Sequence, residues 1–374
     1  MTRMLSGVLI VMLFGSGACY ACSLCGGTPQ QRQTIRQEAA GAHIVVAGKL
    51  TNPRLNADGS GTTELIVERI LKDHPALKGR RTITVPRYLP IEDKSPRFLL
   101  FCDAAKGQLD VLNGRFVRDE RIFDYIEAVQ KLGADRIRSL QFYFKHLESP
   151  VAEIAADAYL EFAKATDAEV GAVARTVDSQ RVRRLVKSDA TPGERLGMYA
   201  FLLGGCGEEQ DAELLLTLIR RDSPQTRAAL SGLLTGYIAL RPAAGWKLTA
   251  SFVSDPKREF LDRLAAISAV RFFRGWKPGL YRGEEIQALS AAVDQGEVAD
   301  MAIEDLRRWQ WWGLTDRILV KYGMKSHDSP LVQRAILRYA LACPDVVARQ
   351  FVAERKKKEP DAIADAVESL EAEK

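Results

Sequence analysis

The 374-residue sequence predicts an α+β protein of two domains, a small antiparallel β barrel followed by an α-α solenoid of stacked helix pairs. Three observations carry that reading. Short β-branched and aromatic runs fill residues 42–117 and then stop. From about Asp119 apolar residues recur at helical spacing almost to the C-terminus. Prolines that follow a capping residue recur, with 32 residues from Pro192 to Pro224 and again from Pro224 to Pro256, and 42 from Pro150 to Pro192.

The chain opens with Arg3, an apolar run from Val8 to Phe14 and then small residues, the order found in secretory signal peptides. The run is well short of the roughly 20 residues that a membrane-spanning helix needs. Residues 1–21 are therefore expected to be a signal peptide cut before Cys19 or Cys22, and the product to be exported to the periplasm, cell surface or exterior, where disulfides persist. A lipid anchor on Cys19 is the alternative, and Ser16 argues against it by standing where a lipoprotein signal carries an aliphatic residue.

Residues 22–118 form the expected β domain. Runs at 43–50, 62–71, 81–85 and 97–102 read as strands, and the Gly- and Asp-rich segment 56–61, Pro86, Pro90, Pro96 and the pair Lys106 and Gly107 separate them. Four or five strands in so short a stretch suit a small barrel or a two-layer β domain. Residues 119–374 form the helical domain. Val151, Ile154, Ala155, Ala158, Tyr159 and Phe162 trace one helix face. Pro150, Pro192, Pro224, Pro256 and Pro330 each follow Ser, Thr or Asp, a pairing that opens helices because a first-turn N–H has no helical partner to lose. Segment 296–309 repeats the apolar and acidic pattern of 149–162 without the proline. Ile363, Val367 and Leu370 place one apolar face on a final capping helix at 361–372.

Segments 222–230 and 329–337 resemble the start of the second half of a HEAT-type repeat, and the likeness covers about 149–352. It implies a scaffold or binding surface. Residues 22–118 resemble, through their closely spaced cysteines, the strand from Ala42 to Lys49 and the strand from Phe98 to Phe101, the netrin or tissue-inhibitor-of-metalloproteinase module. That resemblance implies a small OB-like barrel. The usual Cys-x-Cys is here Cys22 and Cys25 with two residues between, and Cys102 alone remains in this half to pair with them. The whole chain also resembles long exported bacterial proteins, which adds nothing on function.

The cysteine segment excludes a c-type haem, because Gly26 stands where the motif needs histidine. A thioredoxin-like pair would need a helix N-terminus inside an α/β unit, and a zinc site would need a second ligand pair, whereas His43, His74, His146 and His327 are scattered. The expected role is a structural disulfide from Cys22 or Cys25 to Cys102, worth about 4 to 5 kcal/mol in the chain-entropy model. Cys206 and Cys343 read as buried thiols. The glycines from Leu203 to Gly207 read as a helix end and turn, and no nucleophile elbow, phosphate loop or zinc-helix motif occurs.

One aromatic cluster is a candidate partner-binding site: Arg307, Arg308, Trp309, Trp311 and Trp312, supported by Phe272, Phe273, Trp276 and Tyr281. On one helix adjacent positions diverge by about 100°, so the three tryptophans could not all face the core. Trp with Arg is hot-spot chemistry. In the competing reading Trp309 and Trp312 pack into the stack and Trp311 covers a neighbouring loop. The net charge of +5 is spread along the chain, which speaks against nucleic acid. The expected function is non-catalytic recognition of an extracytoplasmic protein or other macromolecule through the helical surface, with no cofactor. The alternatives are a metalloprotease inhibitor acting through the processed N-terminus and a thiol-disulfide oxidoreductase using Cys22 and Cys25.

Overall fold

The computed structural model describes residues 32–91, 96–105 and 108–373. After a short helix, Ile35–Gly41, the chain forms five strands: β1 (Ile44–Leu55), β2 (Gly61–Lys72), β3 (Thr82–Val85), β4 (Arg97–Ala105) and β5 (Gln108–Val117). All pair antiparallel in the order β3-β2-β1-β4-β5. The expected barrel is an open sheet among the described residues: a β3–β5 pairing would close it, and β3, only four residues long, pairs with β2 alone.

The strand runs are apolar without clean alternation because both faces of the sheet are covered. Ile44, Val46, Leu65, Ile83, Phe98, Leu100 and Cys102 pack together on one side of the sheet. Val45, Ala47, Leu99 and Phe101 face the other way, onto Ile35, Ile122, Phe123 and Ile126 of the flanking helices. That second cluster does not end with the sheet. It continues through Tyr143, Phe162, Phe201 and Leu203 to Tyr237 and Phe272, so the β region and the first helices share one core. A second helical core begins at Leu230, and a small third one joins Leu337 to Ile363 and Ala366 of the last helix, Pro360–Glu371. In that helix Val367 is exposed where the sequence pattern placed it inward, and Ala366 takes its place.

Alternate helices pack on one another in two rows. Gly193–Cys206 lies against Leu230–Leu240, and this against Phe260–Trp276; farther on, Ala299–Arg308 lies against Pro330–Ala342, and this against Pro360–Glu371. In the other row Pro242–Ser254 meets Arg282–Val293, and Thr315–Leu319 meets Val346–Lys358. Ion pairs join one helix pair to the next at recurring separations: Arg221 to Asp189, Arg227 to Glu259 and Arg241 to Glu209 span 32 residues. Arg263 to Glu297, Arg271 to Asp305 and Arg338 to Glu304 span 34.

Close approach of Gly193–Cys206 to Leu230–Leu240 depends on glycine. A Cβ on Gly232 would collide with the backbone of Gly197, and one on Gly204 would sit 2.6 Å from the Cα of Gly236. The glycines near Cys206 therefore serve packing inside the helix, and only Gly207 caps it. The stack is also not strictly nearest-neighbour. The helix Asp167–Ala174 crosses to Phe260–Trp276, with Gly171 against the Trp276 indole, and Phe201 meets Phe272 at 4.3 Å between ring centroids.

The prolines divide. Pro224 and Pro330 occupy first-turn positions, as expected, and Ser223 supplies a capping box ahead of Pro224. Pro150 and Pro192 instead stand just before helices that begin at Ala152 and Gly193, and Pro256 lies in a turn ahead of Phe260. Pro242 and Pro360 do open helices, although Arg241 and Glu359 before them are not the usual capping residues. The segment 296–309 contains the helix Ala299–Arg308, which starts at the same offset as Ala152–Ala163 does in 149–162. No helix among the described residues is long and apolar enough to cross a membrane.

Candidate functional site

The tryptophan cluster does not lie on one helix. Ala299–Arg308 ends at Trp309, and Gln310 takes a left-handed conformation, φ +56°. The amide of Trp311 then bonds the Leu306 carbonyl at 2.9 Å and that of Gln310 bonds the Arg307 carbonyl at 3.0 Å, the paired bonds that close a helix by reversing the chain. This reversal removes the premise that one tryptophan must face outward. Trp311 is the most enclosed of the three, only 5% exposed, while Trp309 and Trp312 are half-buried. Trp309 meets Trp311 edge-on at 5.1 Å, and Trp312 meets Tyr339 at the same distance.

The cations around these rings come from elsewhere in the chain. The Arg274 guanidinium lies over Trp309 at 5.7 Å and over Trp311 at 5.1 Å, and Arg282 lies over Trp311 at 5.6 Å. Arg307, by contrast, is mostly buried in ion pairs with Glu304 and Glu373, which also bind Arg338. Arg308 stays half-exposed, 3.9 Å from Glu373. The five residues read as a site thus separate into an aromatic group held by Arg274 and a structural ion network holding Arg307. Phe272 and Phe273 are core residues, and Tyr281 packs on Trp246. Behind Arg274 the carboxyl of Glu285 is fully buried, and neither oxygen has a hydrogen-bond partner among the described residues. Burial pushes it up to about 7, against a smaller pull from Arg274.

Cys19, Cys22 and Cys25 lie outside the described residues. Cys102 is fully buried on the side of β4 that packs with Ile44 and Leu100, opposite the side that holds the helix Ile35–Gly41. Burial, with Asp110 adding to it, pushes its thiol up to about 11, and Cys206 is raised to about 11 chiefly by burial. Neither is a reactive thiolate at neutral pH. No disulfide joins Cys102, Cys206 and Cys343. Strand pairing brings two of the scattered histidines together: His43 and His74 stack at 5.3 Å, and Asp103 bonds His43. Among the described residues no group of three or more His, Cys, Asp or Glu side chains is placed to hold a metal ion.

A cleft of about 480 Å³ opens where the first helix, β5 and the helices Ala152–Ala163 and Gly193–Cys206 meet. Arg115 of β5 bridges Glu38 at 2.9 Å and Glu153 at 2.8 Å across it. At its base Asp157 is buried, accepting from the Ile35 amide at 2.7 Å and from the Tyr125 hydroxyl at 2.8 Å. Burial pushes this carboxyl up to about 6, and the two hydrogen bonds pull it back only in part. A perturbed acid in a cleft marks a candidate site. Here, however, both oxygens are engaged, one pinning the helix Ile35–Gly41 from 122 residues away and the other holding Tyr125 of the helix Arg121–Gln130, and no Ser, Thr or Cys lines the cleft for a base to activate. Asp157 therefore acts as an anchor. The sequence reading missed it because it counted Ala155 and Ala158 as core on either side and left the acid between them as surface.

No protein family, curated protein or solved structure matches the chain significantly.

Proposed function

We propose that the protein is an exported, non-catalytic binding or scaffold protein, in which helix pairs form a HEAT-like α-solenoid that recognises another macromolecule and the five-stranded sheet is an OB-like module at its head. The observation that carries this reading is the ladder of inter-helix ion pairs at separations of 32 and 34 residues. Contacts that recur at about one helix-pair length are what a stacked repeat produces, and such stacks devote their length to surface. The cleft beside Asp157 and the tryptophan cluster supply packing and anchoring groups, and neither supplies a nucleophile with a base.

The test is crosslinking of the full chain, secreted with its own leader, followed by identification of the captured macromolecule. The same capture is expected from the unaltered protein, from a form with extra residues at the mature N-terminus and from Cys22→Ser with Cys25→Ser. Loss of capture on N-terminal extension, together with inhibition of a zinc peptidase by the unextended form, would replace this reading with the inhibitor. Reduction of a disulfide substrate that the cysteine variants abolish would replace it with the oxidoreductase.

A further inference from the structure

One edge of the helical stack carries three cavities in a row. The first, about 580 Å³, lies where Glu209–Arg220 and Pro242–Ser254 end, with Ile219, Leu230 and Phe252 in its floor. It shares Arg227, Glu259 and Asp262 with the second, about 460 Å³, against the start of Phe260–Trp276. Leu261 lines that second cavity, and its chain neighbour Phe260 lines the third, about 560 Å³, at the first turns of Ala299–Arg308 and Pro330–Ala342. Phe260, Leu261 and Leu331 are 39%, 68% and 63% exposed, so the second and third cavities have apolar side chains facing solvent. The helix Asp167–Ala174 packs at the other end of Phe260–Trp276, with Gly171 against Trp276 and Asp167 against Gly275.

The two ends differ in charge. At the first cavity Arg220 and Lys257 have no ion-pair partner among the described residues. The third is lined by Glu297, Asp300 and Asp328 and by no Lys or Arg. Glu297 is paired with Arg263, whereas Asp300 and Asp328 make no ion pair among the described residues.

We propose that this row is one groove that binds an extended segment of a partner polypeptide, whose apolar side chains cover Phe260, Leu261 and Leu331 and whose Lys or Arg residues lie at the Asp300 and Asp328 end. The inference rests on the binding function proposed above and names its site and partner class. Exposed aliphatic side chains call for aliphatic partners, and an acidic end repels a polynucleotide; both favour a peptide.

The experiment is selection of a random displayed peptide library on the full chain, with calorimetry of the selected peptide. The expected peptides carry paired apolar residues next to Lys or Arg. Leu261→Asp combined with Leu331→Asp should weaken binding by at least about tenfold, as loss of central apolar contacts does. Both side chains are exposed and stand in helix first turns, where an added acid is tolerated, so these variants should fold. Asp300→Asn with Asp328→Asn should abolish the preference for Lys and Arg. Selection of no peptide, of acidic peptides only, or of peptides whose affinity ignores both double variants would overturn the groove. A crosslinked partner still captured by the Leu261→Asp and Leu331→Asp chain would also overturn it while leaving the binding function standing; absence of any captured partner would remove the binding function itself.

Discussion

β1 is held by β4, which arrives some 50 residues later, with Ile44 opposite Cys102 and Val46 opposite Leu100, whereas the late helices are held by partners about one helix pair away. The sheet side therefore depends on contacts that form together, and its core runs on without a break into the helices as far as Phe272. The far end depends on a cluster of three buried side chains, Leu337, Ile363 and Ala366. Range of contact, more than secondary structure, decides how far damage spreads.

The largest effect should come from the shared core. Phe101→Ala removes a ring that joins sheet to helices and should cost about 4 kcal/mol, visible in urea unfolding as earlier loss of strand and helix signal together. If strand signal is lost first while the helices persist, the shared core is not the cooperative unit. At the other end Ile363→Ala should cost about 2 kcal/mol, and the cost should stay local. Hydrogen exchange should quicken in 346–371 and remain unchanged in the sheet; uniform acceleration would erase the contrast between the two regions.

Acid should sharpen the comparison at the junction. Asp157 has a folded-state pKa of about 6, raised from 3.8, so the folded chain binds its proton more tightly than the unfolded chain. The resulting stabilisation is fully present below about pH 3.8 and is lost as pH rises through about 6. Asp157→Asn should flatten the stability profile over that interval by an amount on the order of 3 kcal/mol, measured by thermal melts at a series of pH values. An unchanged profile would show that Asp157 is not the group titrating there. The smallest effect is expected at Gln310, where a side chain occupies left-handed backbone. Gln310→Gly should stabilise by about 0.5 to 1 kcal/mol in the same unfolding assay, and destabilisation would mean that the Gln310 side chain contributes more than the backbone costs.

Much of the architecture was legible because it rests on local pattern. Four of the five strands and the helical remainder follow from runs and spacings that sit within a few residues of one another, and the 32-residue proline interval reappears as the reach of Arg221, Arg227 and Arg241. β5 was less legible, because its residues alternate between half-buried and exposed and include Asp110, Asn113 and Gly114. What local pattern cannot show is which distant elements meet. The Asp157 bond to Ile35, the union of the sheet and helical cores, and the approach of Arg274 to Trp309 and Trp311 all join segments far apart in the chain. The tryptophan stretch misled for a different reason. A left-handed turn at a non-glycine residue leaves no compositional mark, so Gln310 read as one more helical position.

The ladder of arginine–carboxylate pairs bears on how such a chain can grow. Each rung leaves one helix pair and lands on the next, with the arginine on the earlier pair at Arg227, Arg263 and Arg271 and on the later pair at Arg221, Arg241 and Arg338, so an inserted unit of 32 to 34 residues would have to carry the matching charge toward both of its neighbours. Lengthening within the helices would then require complementary charges at each splice, so the ladder selects which units can stand next to one another.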